Sequence, residues 1–197
     1  LSHPSSASYL DMTLRMLHRA GVETIAHGDL IAFNQTERLN EKLTIEAEQD
    51  AGSRAVWIAA AALGHPAAAK PLATASLQPD GAIDRMLDQL RDTAVAECVI
   101  DLAHAPDLLP VLAVVAIGLR RRARFTGLDA LPFKESDRLV AFAASLSEAG
   151  VETRAGINEL FIDASKSPAI RGSRIRSYGD HRIVLAAALL AQSTGET

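Results

Sequence analysis

The chain has 197 residues, 48% hydrophobic and 22% charged, the balance of a soluble globular protein with a sizeable core. Its formal net charge of −4 excludes a global electrostatic case for nucleic acid or an anionic membrane as partner. One cysteine, Cys98, excludes an internal disulfide framework; with no apolar run of membrane-spanning length and no secretory leader, the expected compartment is the reducing cytoplasm.

Apolar spacing predicts a helix over residues 12–19, stopped at Ala20-Gly21. An alternating segment at 22–25, a turn at His27-Gly28-Asp29 and a second strand at 30–33 follow. Asp50 heads an apolar helix through 56–63, and a loop runs from Gly64-His65-Pro66 to Pro71. A helix at 83–90 leads to strand material at 95–102, where Cys98 reads as a core residue. Asp107 precedes Leu108-Leu109-Pro110 and an apolar helix over 111–119. The basic run Arg120-Arg121-Arg122-Arg124 then reads as a solvated connection rather than a nucleic-acid patch. A helix at 139–148, a stop at Ala149-Gly150, strands near 151–153 and 160–162 around a turn with Gly156, and a loop at 165–173 come next. Asp180 heads the last apolar helix, over 183–190.

Two units recur. Helix, glycine stop and hairpin is the order at 12–33 and again at 139–163, and Ala-Gly-Val-Glu-Thr stands at both 20–24 and 149–153. Asp50, Asp107 and Asp180 each precede an Ala- and Leu-rich helix apolar on all sides, the signature of a helix buried all round with an N-terminal Asp cap. The chain thus reads as roughly three copies of a helix and strand unit about a pseudo-threefold axis, helices inside and sheets outside.

Two strings carry chemistry: Lys134-Glu135-Ser136-Asp137-Arg138 and Tyr178-Gly179-Asp180-His181-Arg182. Each sets a guanidinium beside carboxylates at the head of an apolar helix, where free N–H groups and the helix dipole attract anions. Lys134 and Arg138, four apart, share one face on a helical backbone and together suit a phosphate or carboxylate. Glu135 is placed for proton transfer or for charge balance. The alternative reading is a pair of charged helix caps with intrahelical ion pairs.

In order and spacing, these strings resemble the 5-enolpyruvylshikimate-3-phosphate synthase family. They join Tyr9-Leu10-Asp11-Met12-Thr13, residues 46–63, Ser76-Leu77-Gln78-Pro79-Asp80 and Pro106-Asp107-Leu108-Leu109-Pro110, so the likeness covers nearly the whole chain. The resemblance implies a mixed α/β fold, an inside-out α/β barrel lobe of repeated helix and strand units around buried Ala/Leu-rich helices. It also implies a carboxyvinyl (enolpyruvyl) transferase of the shikimate pathway leading to chorismate and the aromatic amino acids. Its partners would be shikimate 3-phosphate and phosphoenolpyruvate, with no metal, organic cofactor, nucleic acid or membrane. By the same resemblance, Asp107 takes the proton from the shikimate hydroxyl, Glu135 is the second acid/base residue, and Lys134 meets the phosphate ester or the attacking oxygen. Arg138 and Arg182 bind phosphoenolpyruvate, Ser6 and Tyr9 match the segment holding the phosphate of shikimate 3-phosphate, and Asp180 and His181 orient Arg182 and cap a helix.

Some positions depart from the family pattern. Asp-Ala-Ser-Ser-Ala stands here as Asp50-Ala51-Gly52-Ser53-Arg54, Gln-Gly-Asp as Gln78-Pro79-Asp80, and Ser-Lys-Pro as Ser6-Ala7-Ser8, and the approach to Lys134 is Ala130-Leu131-Pro132-Phe133. The chain begins at Leu1 without an initiator methionine and lacks the family's N-terminal substrate-binding groups and its distal lysine. The expected organisation is therefore residues 1–45 as the last unit of an N-terminal lobe and 46–197 as most of a C-terminal lobe. Such a portion is expected to be inactive alone, with self-association or a complementing N-terminal portion as its partner. Two other functions are a non-catalytic anion-binding or interaction module and a UDP-sugar enolpyruvyl transferase.

Overall fold

The computed structural model of the chain describes residues 7–27, 30–33, 44, 47–66, 76–166, 170 and 174–193. The elements run α1 (Ala7–Arg19), β1 (Thr24–His27), β2 (Leu30–Phe33), α2 (Ala51–Ala62), a 3₁₀ turn Pro79–Ala82, α3 (Ile83–Arg91) and β3 (Glu97–Asp101). A 3₁₀ turn Pro106–Leu108, α4 (Leu109–Gly118), β4 (Arg122–Thr126), a 3₁₀ turn Leu131–Phe133, α5 (Arg138–Glu148), β5 (Glu152–Ala155), β6 (Leu160–Asp163) and α6 (His181–Ser193) complete them. The fold is mixed α/β with two sheets: the β1–β2 hairpin, and a four-stranded sheet ordered β3-β4-β6-β5. In the larger sheet β3 and β4 are parallel, and the remaining pairs are antiparallel.

The two predicted repeats close their helices alike. After α1, Val22 N–H donates to Leu17 C=O at 2.9 Å and Gly21 to His18 at 3.0 Å; after α5, Val151 donates to Leu146 and Gly150 to Ser147, both at 3.0 Å. This six-to-one, five-to-two pattern needs a left-handed residue, and Gly21 and Gly150 supply it at φ +83° and +86°. Helix α4 ends in the same pattern, Arg121 to Ala116 at 2.8 Å and Arg120 to Ile117 at 3.0 Å, but here Arg120 takes the left-handed position at φ +54°. The arginine run is therefore more ordered than a solvated connection. Arg120 closes a helix, and Arg122 and Arg124 lie within β4. Their outward side chains and that of Arg154 stack over Phe161, guanidinium carbons 5.4–5.7 Å from the ring centre, while Glu97, Glu159 and Asp163 balance the charge.

The expectation of three helices buried on every side holds for one. Residues 109–117 of α4 are all buried, because α2, α3, α6, β4 and β6 surround it. Helix α2 buries Ala55 and Ala59 but leaves Trp57 54% exposed, and α6 buries Ile183, Ala186 and Leu190 but exposes Val184 and Leu185. Their apolar composition exceeds what their described neighbours cover. Cys98 and Ile100 of β3, Ala123 and Phe125 of β4, and Leu160 and Ile162 of β6 alternate inward beneath α3 and α4.

Helix α1 starts at Ala7, earlier than the periodicity from residue 12 suggests, because Ser8 and Tyr9 dock onto other turns: Ser8 Oγ donates to His104 C=O at 2.6 Å and Tyr9 to Asp80 at 2.9 Å. Residues 28 and 29 of the predicted hairpin turn, 67–71 of the predicted loop, and 167–169 and 171–173 of the later loop lie outside the described residues. Among the described residues no helix is long and apolar enough to cross a membrane.

Because Arg120 occupies a position that favours glycine, Arg120→Gly should raise the unfolding free energy by about 1 kcal/mol, and Gly150→Ala should lower it by about as much. Urea denaturation of both variants checks the pair of signs.

Candidate active site

The starts of α2, α4, α5 and α6 converge, and the two charged strings meet there. Asp137 caps α5, accepting the Val140 N–H at 3.2 Å, which puts Arg138 at the first helical position pointing inward. Arg138 is 1% exposed. Its Nε donates to Asp180 Oδ2 at 2.7 Å and its Nη1 to Asp107 Oδ1 at 2.8 Å, while Nη2 serves Glu135 and, at 3.3 Å, Asp180 Oδ1. Asp180 is fully buried, and also accepts the Arg182 N–H at 2.9 Å and the Ser136 hydroxyl at 3.3 Å. Burial pushes the Asp180 carboxyl up, but the hydrogen bonds from Arg138, the Arg182 amide and Ser136 outweigh it and hold it below the usual carboxylate range.

Asp107 is the second hub. Its carboxylate meets Lys134 Nζ at 3.2 Å, Arg138 Nη1 at 2.8 Å and Arg182 Nη2 at 3.3 Å. Asp107 is therefore not the helix cap its place before α4 suggests: it lies within a 3₁₀ turn and its side chain faces the cations. Asp50, by contrast, is a cap, accepting the Ser53 N–H at 2.6 Å. Lys134 and Arg138 do not share a helix face either. Lys134 is extended, outside α5, and the two cations meet only through Asp107.

Tyr9 reaches this cluster from α1, its ring centre 5.4 Å from Lys134 Nζ. Its hydroxyl donates to Asp80 Oδ1 at 2.9 Å, and burial, with Asp80 and Asp107 nearby, pushes its ionisation far up. Ser6 lies outside the described residues. Exposed His181 places Nδ1 3.5 Å from Glu135 Oε1, whereas Asp180 holds the Arg182 backbone. Two residues absent from the sequence-level site belong to it. One is Asp80, buried beside Tyr9. The other is Gly52, where a Cβ would lie 3.1 Å from Arg182 Nη2 and 3.2 Å from Asp80 Oδ2. Their signal was the strings 50–54 and 76–80, which carry the family resemblance and depart from its pattern at Gly52 and Pro79. A shallow pocket of about 70 Å³ opens beside Arg182, lined by Asp50, Gly52, Val111 and His181 among others. Among the described residues no group of three His, Cys, Asp or Glu side chains could hold a metal ion.

A sequence model described as EPSP synthase (3-phosphoshikimate 1-carboxyvinyltransferase) matches residues 1–197. The chain belongs to the EPSP synthase family. Among proteins named 3-phosphoshikimate 1-carboxyvinyltransferase, that of Methanocorpusculum labreanum is 31% identical, over 96% of this chain and 48% of its own length. Those of Methanopyrus kandleri and Clostridium acetobutylicum are 33% and 30% identical, over 98% and 94% of this chain and 47% and 46% of theirs. The chain thus spans about half the length of the curated relatives it matches.

Removing one partner of a buried ion pair strands the other. Arg138→Met should therefore cost about 3–5 kcal/mol in urea unfolding. The Asp180 shift has a definite sign: a carboxyl held below its unfolded value stabilises the fold above that value, about 3.9, and the contribution is lost as pH falls below it. Unfolding free energies measured from pH 7 to pH 2 should show this acid-side loss in wild type, and Asp180→Asn should flatten it.

Proposed function

We propose that this chain carries part of an enolpyruvyl-transfer site. The reaction would move the enolpyruvyl group of phosphoenolpyruvate to shikimate 3-phosphate and release inorganic phosphate. The observation that carries the reading is the Asp107 cluster, one carboxylate met by Lys134, Arg138 and Arg182 with Glu135 alongside. Joining two anions calls for cations to offset their charge, and adding a hydroxyl across a double bond calls for groups that move protons.

In this proposal Asp107 takes the proton from the shikimate hydroxyl as its oxygen attacks. Glu135, half exposed, exchanges a proton with the methylene carbon during addition and elimination. Lys134 and Arg182, each about a fifth exposed, are the cations with room to exchange an internal carboxylate for a ligand. Arg138, as the second phosphoenolpyruvate ligand, would release Glu135 to do so, keeping Asp180. Tyr9 would meet the phosphate of shikimate 3-phosphate, and Ser6 matches the same segment. Asp180 and His181 support Arg182 and Glu135.

The same reading makes residues 1–45 the last unit of an N-terminal lobe and 46–197 most of a C-terminal, inside-out barrel lobe. The family match over the whole chain and its half-length span of the relatives support this division. Groups from both lobes must meet to sub-ångström tolerance, so this chain alone is expected to bind without turning over. That half-length span is also what favours the second reading, an anion-binding module without catalysis.

Calorimetric titration with each substrate, and assay of phosphate release with both, test the proposal. The chain should bind shikimate 3-phosphate but release phosphate only when the uncovered half of the Methanocorpusculum relative is added. Arg182→Ala should weaken phosphoenolpyruvate binding about tenfold or more, yet change stability by less than about 1 kcal/mol because the side chain is partly exposed. Rapid turnover by the chain alone would overturn the division between lobes. Binding of substrates without phosphate release in the mixture would favour the non-catalytic module.

A further inference from the structure

Asp80 stands apart from both charged strings, yet its carboxylate is buried at their edge, 6% exposed. The turn that carries it is rigidly tied. Pro79 occupies the first turn, Gln78 Oε1 accepts the Ala51 N–H at 2.6 Å, and Gln78 Nε2 donates to Gln49 C=O at 2.9 Å, which fixes the turn to the start of α2. One carboxyl oxygen, Oδ1, accepts the Tyr9 hydroxyl at 2.9 Å. The other, Oδ2, lies 3.2 Å from where a Cβ at Gly52 would sit, and Arg182 Nη1 and Nη2 lie 3.2 and 3.1 Å from the same point. The acid and the guanidinium thus flank one small space.

We propose that Asp80 is a positioning residue of the site, anchoring the Tyr9 hydroxyl from α1 and facing the Arg182 guanidinium from α6 across the space that Gly52 leaves open. The contact itself stands on geometry; the ligand it serves rests on the enolpyruvyl-transfer reading. Helix α1 has no fully buried residue and Tyr9 is only partly covered, so its hydrogen bond to Asp80 adds the fixed point that packing does not supply. A side chain held from one point has a fixed position relative to everything else held there, which is how a site keeps its geometry while empty. The groups facing Asp80 are Tyr9 from α1, Asp50 before α2, Asp107 before α4 and Arg182 from α6. Burial, opposed by the Tyr9 hydrogen bond and the Arg182 charge and reinforced by Asp107 and Asp50, keeps the Asp80 carboxyl above the usual range. An acid with a raised value stabilises the fold at low pH and loses that contribution as pH rises, so Asp80→Asn should fold at neutral pH at least as well as wild type. Any change in the site of that variant is then not a loss of fold.

The chain holds two tyrosines, so Tyr178→Phe leaves Tyr9 alone. Biosynthetic 3-fluorotyrosine then gives Tyr9 a single fluorine resonance that reports the surroundings of its phenol at neutral pH. In a folded Asp80→Asn variant, circular dichroism unchanged, the resonance should move, since the carboxylate oxygen that accepts the Tyr9 hydroxyl has been replaced by an amide. Gly52→Ala, which wedges a methyl group between Asp80 and Arg182, should move the same resonance. By titration calorimetry, shikimate 3-phosphate affinity should fall about tenfold in Asp80→Asn and in Tyr9→Phe, and hardly further in the double variant, because the two act as one unit. A Tyr9 resonance untouched by Asp80→Asn, or additive losses in the double variant, would overturn the proposal. If wild type binds no shikimate 3-phosphate, the enolpyruvyl-transfer reading falls, and the fluorine measurements alone decide for or against Asp80.

Discussion

The site rests on one desolvated contact, the Arg138–Asp180 pair, which joins residues 42 apart in sequence. Neither side chain has meaningful access to water, so each depends on the other for its charge to be tolerated. Such a pair adds little net stability over a well-packed apolar substitute, yet it is intolerant of any geometry but one. That intolerance spreads outward. Asp180 also holds the Arg182 backbone and Ser136, and Arg138 also holds Asp107 and Glu135, so the starts of α4, α5 and α6 are referenced to a single point.

The cations of the cluster are kept in place by the protein's own carboxylates. Lys134, Arg138 and Arg182 face Asp107, Glu135 and Asp180, with Asp80 behind them. An incoming phosphate or carboxylate would therefore exchange with an internal acid rather than gather scattered charges from solvent. Little reorganisation is then left for the moment of binding, the arrangement that makes fixed charges effective.

Local patterns carried much of this into the sequence. The glycine stops after α1 and α5, the hairpins behind them, and the charged heads of α5 and α6 were readable because each follows from a few neighbouring residues. What escaped was set at long range. An Asp before an apolar helix reads as a cap; Asp50 is one, but Asp107 is drawn away by three cations from distant segments. The four-residue spacing of Lys134 and Arg138 suggested a helix face, but Asp137 starts the helix too late for it. Arg122 and Arg124 resembled a solvated link because the acids that balance them belong to β3, β6 and the turn before β6. Gly52 and Asp80 carry little signal singly, and gain meaning only from Arg182 and Tyr9 beside them.

Helix α4 has a consequence of another kind. Between Leu109 and Ile117 it offers water nothing but hydrocarbon, and it is tolerated because five elements drawn from residues 51–193 close over it together. No subset of those elements hides it, so partial assemblies would present a sticky rod to the solvent. The chain between α2 and α6 is in that sense indivisible: it cannot be shortened from within and still be kept from aggregation.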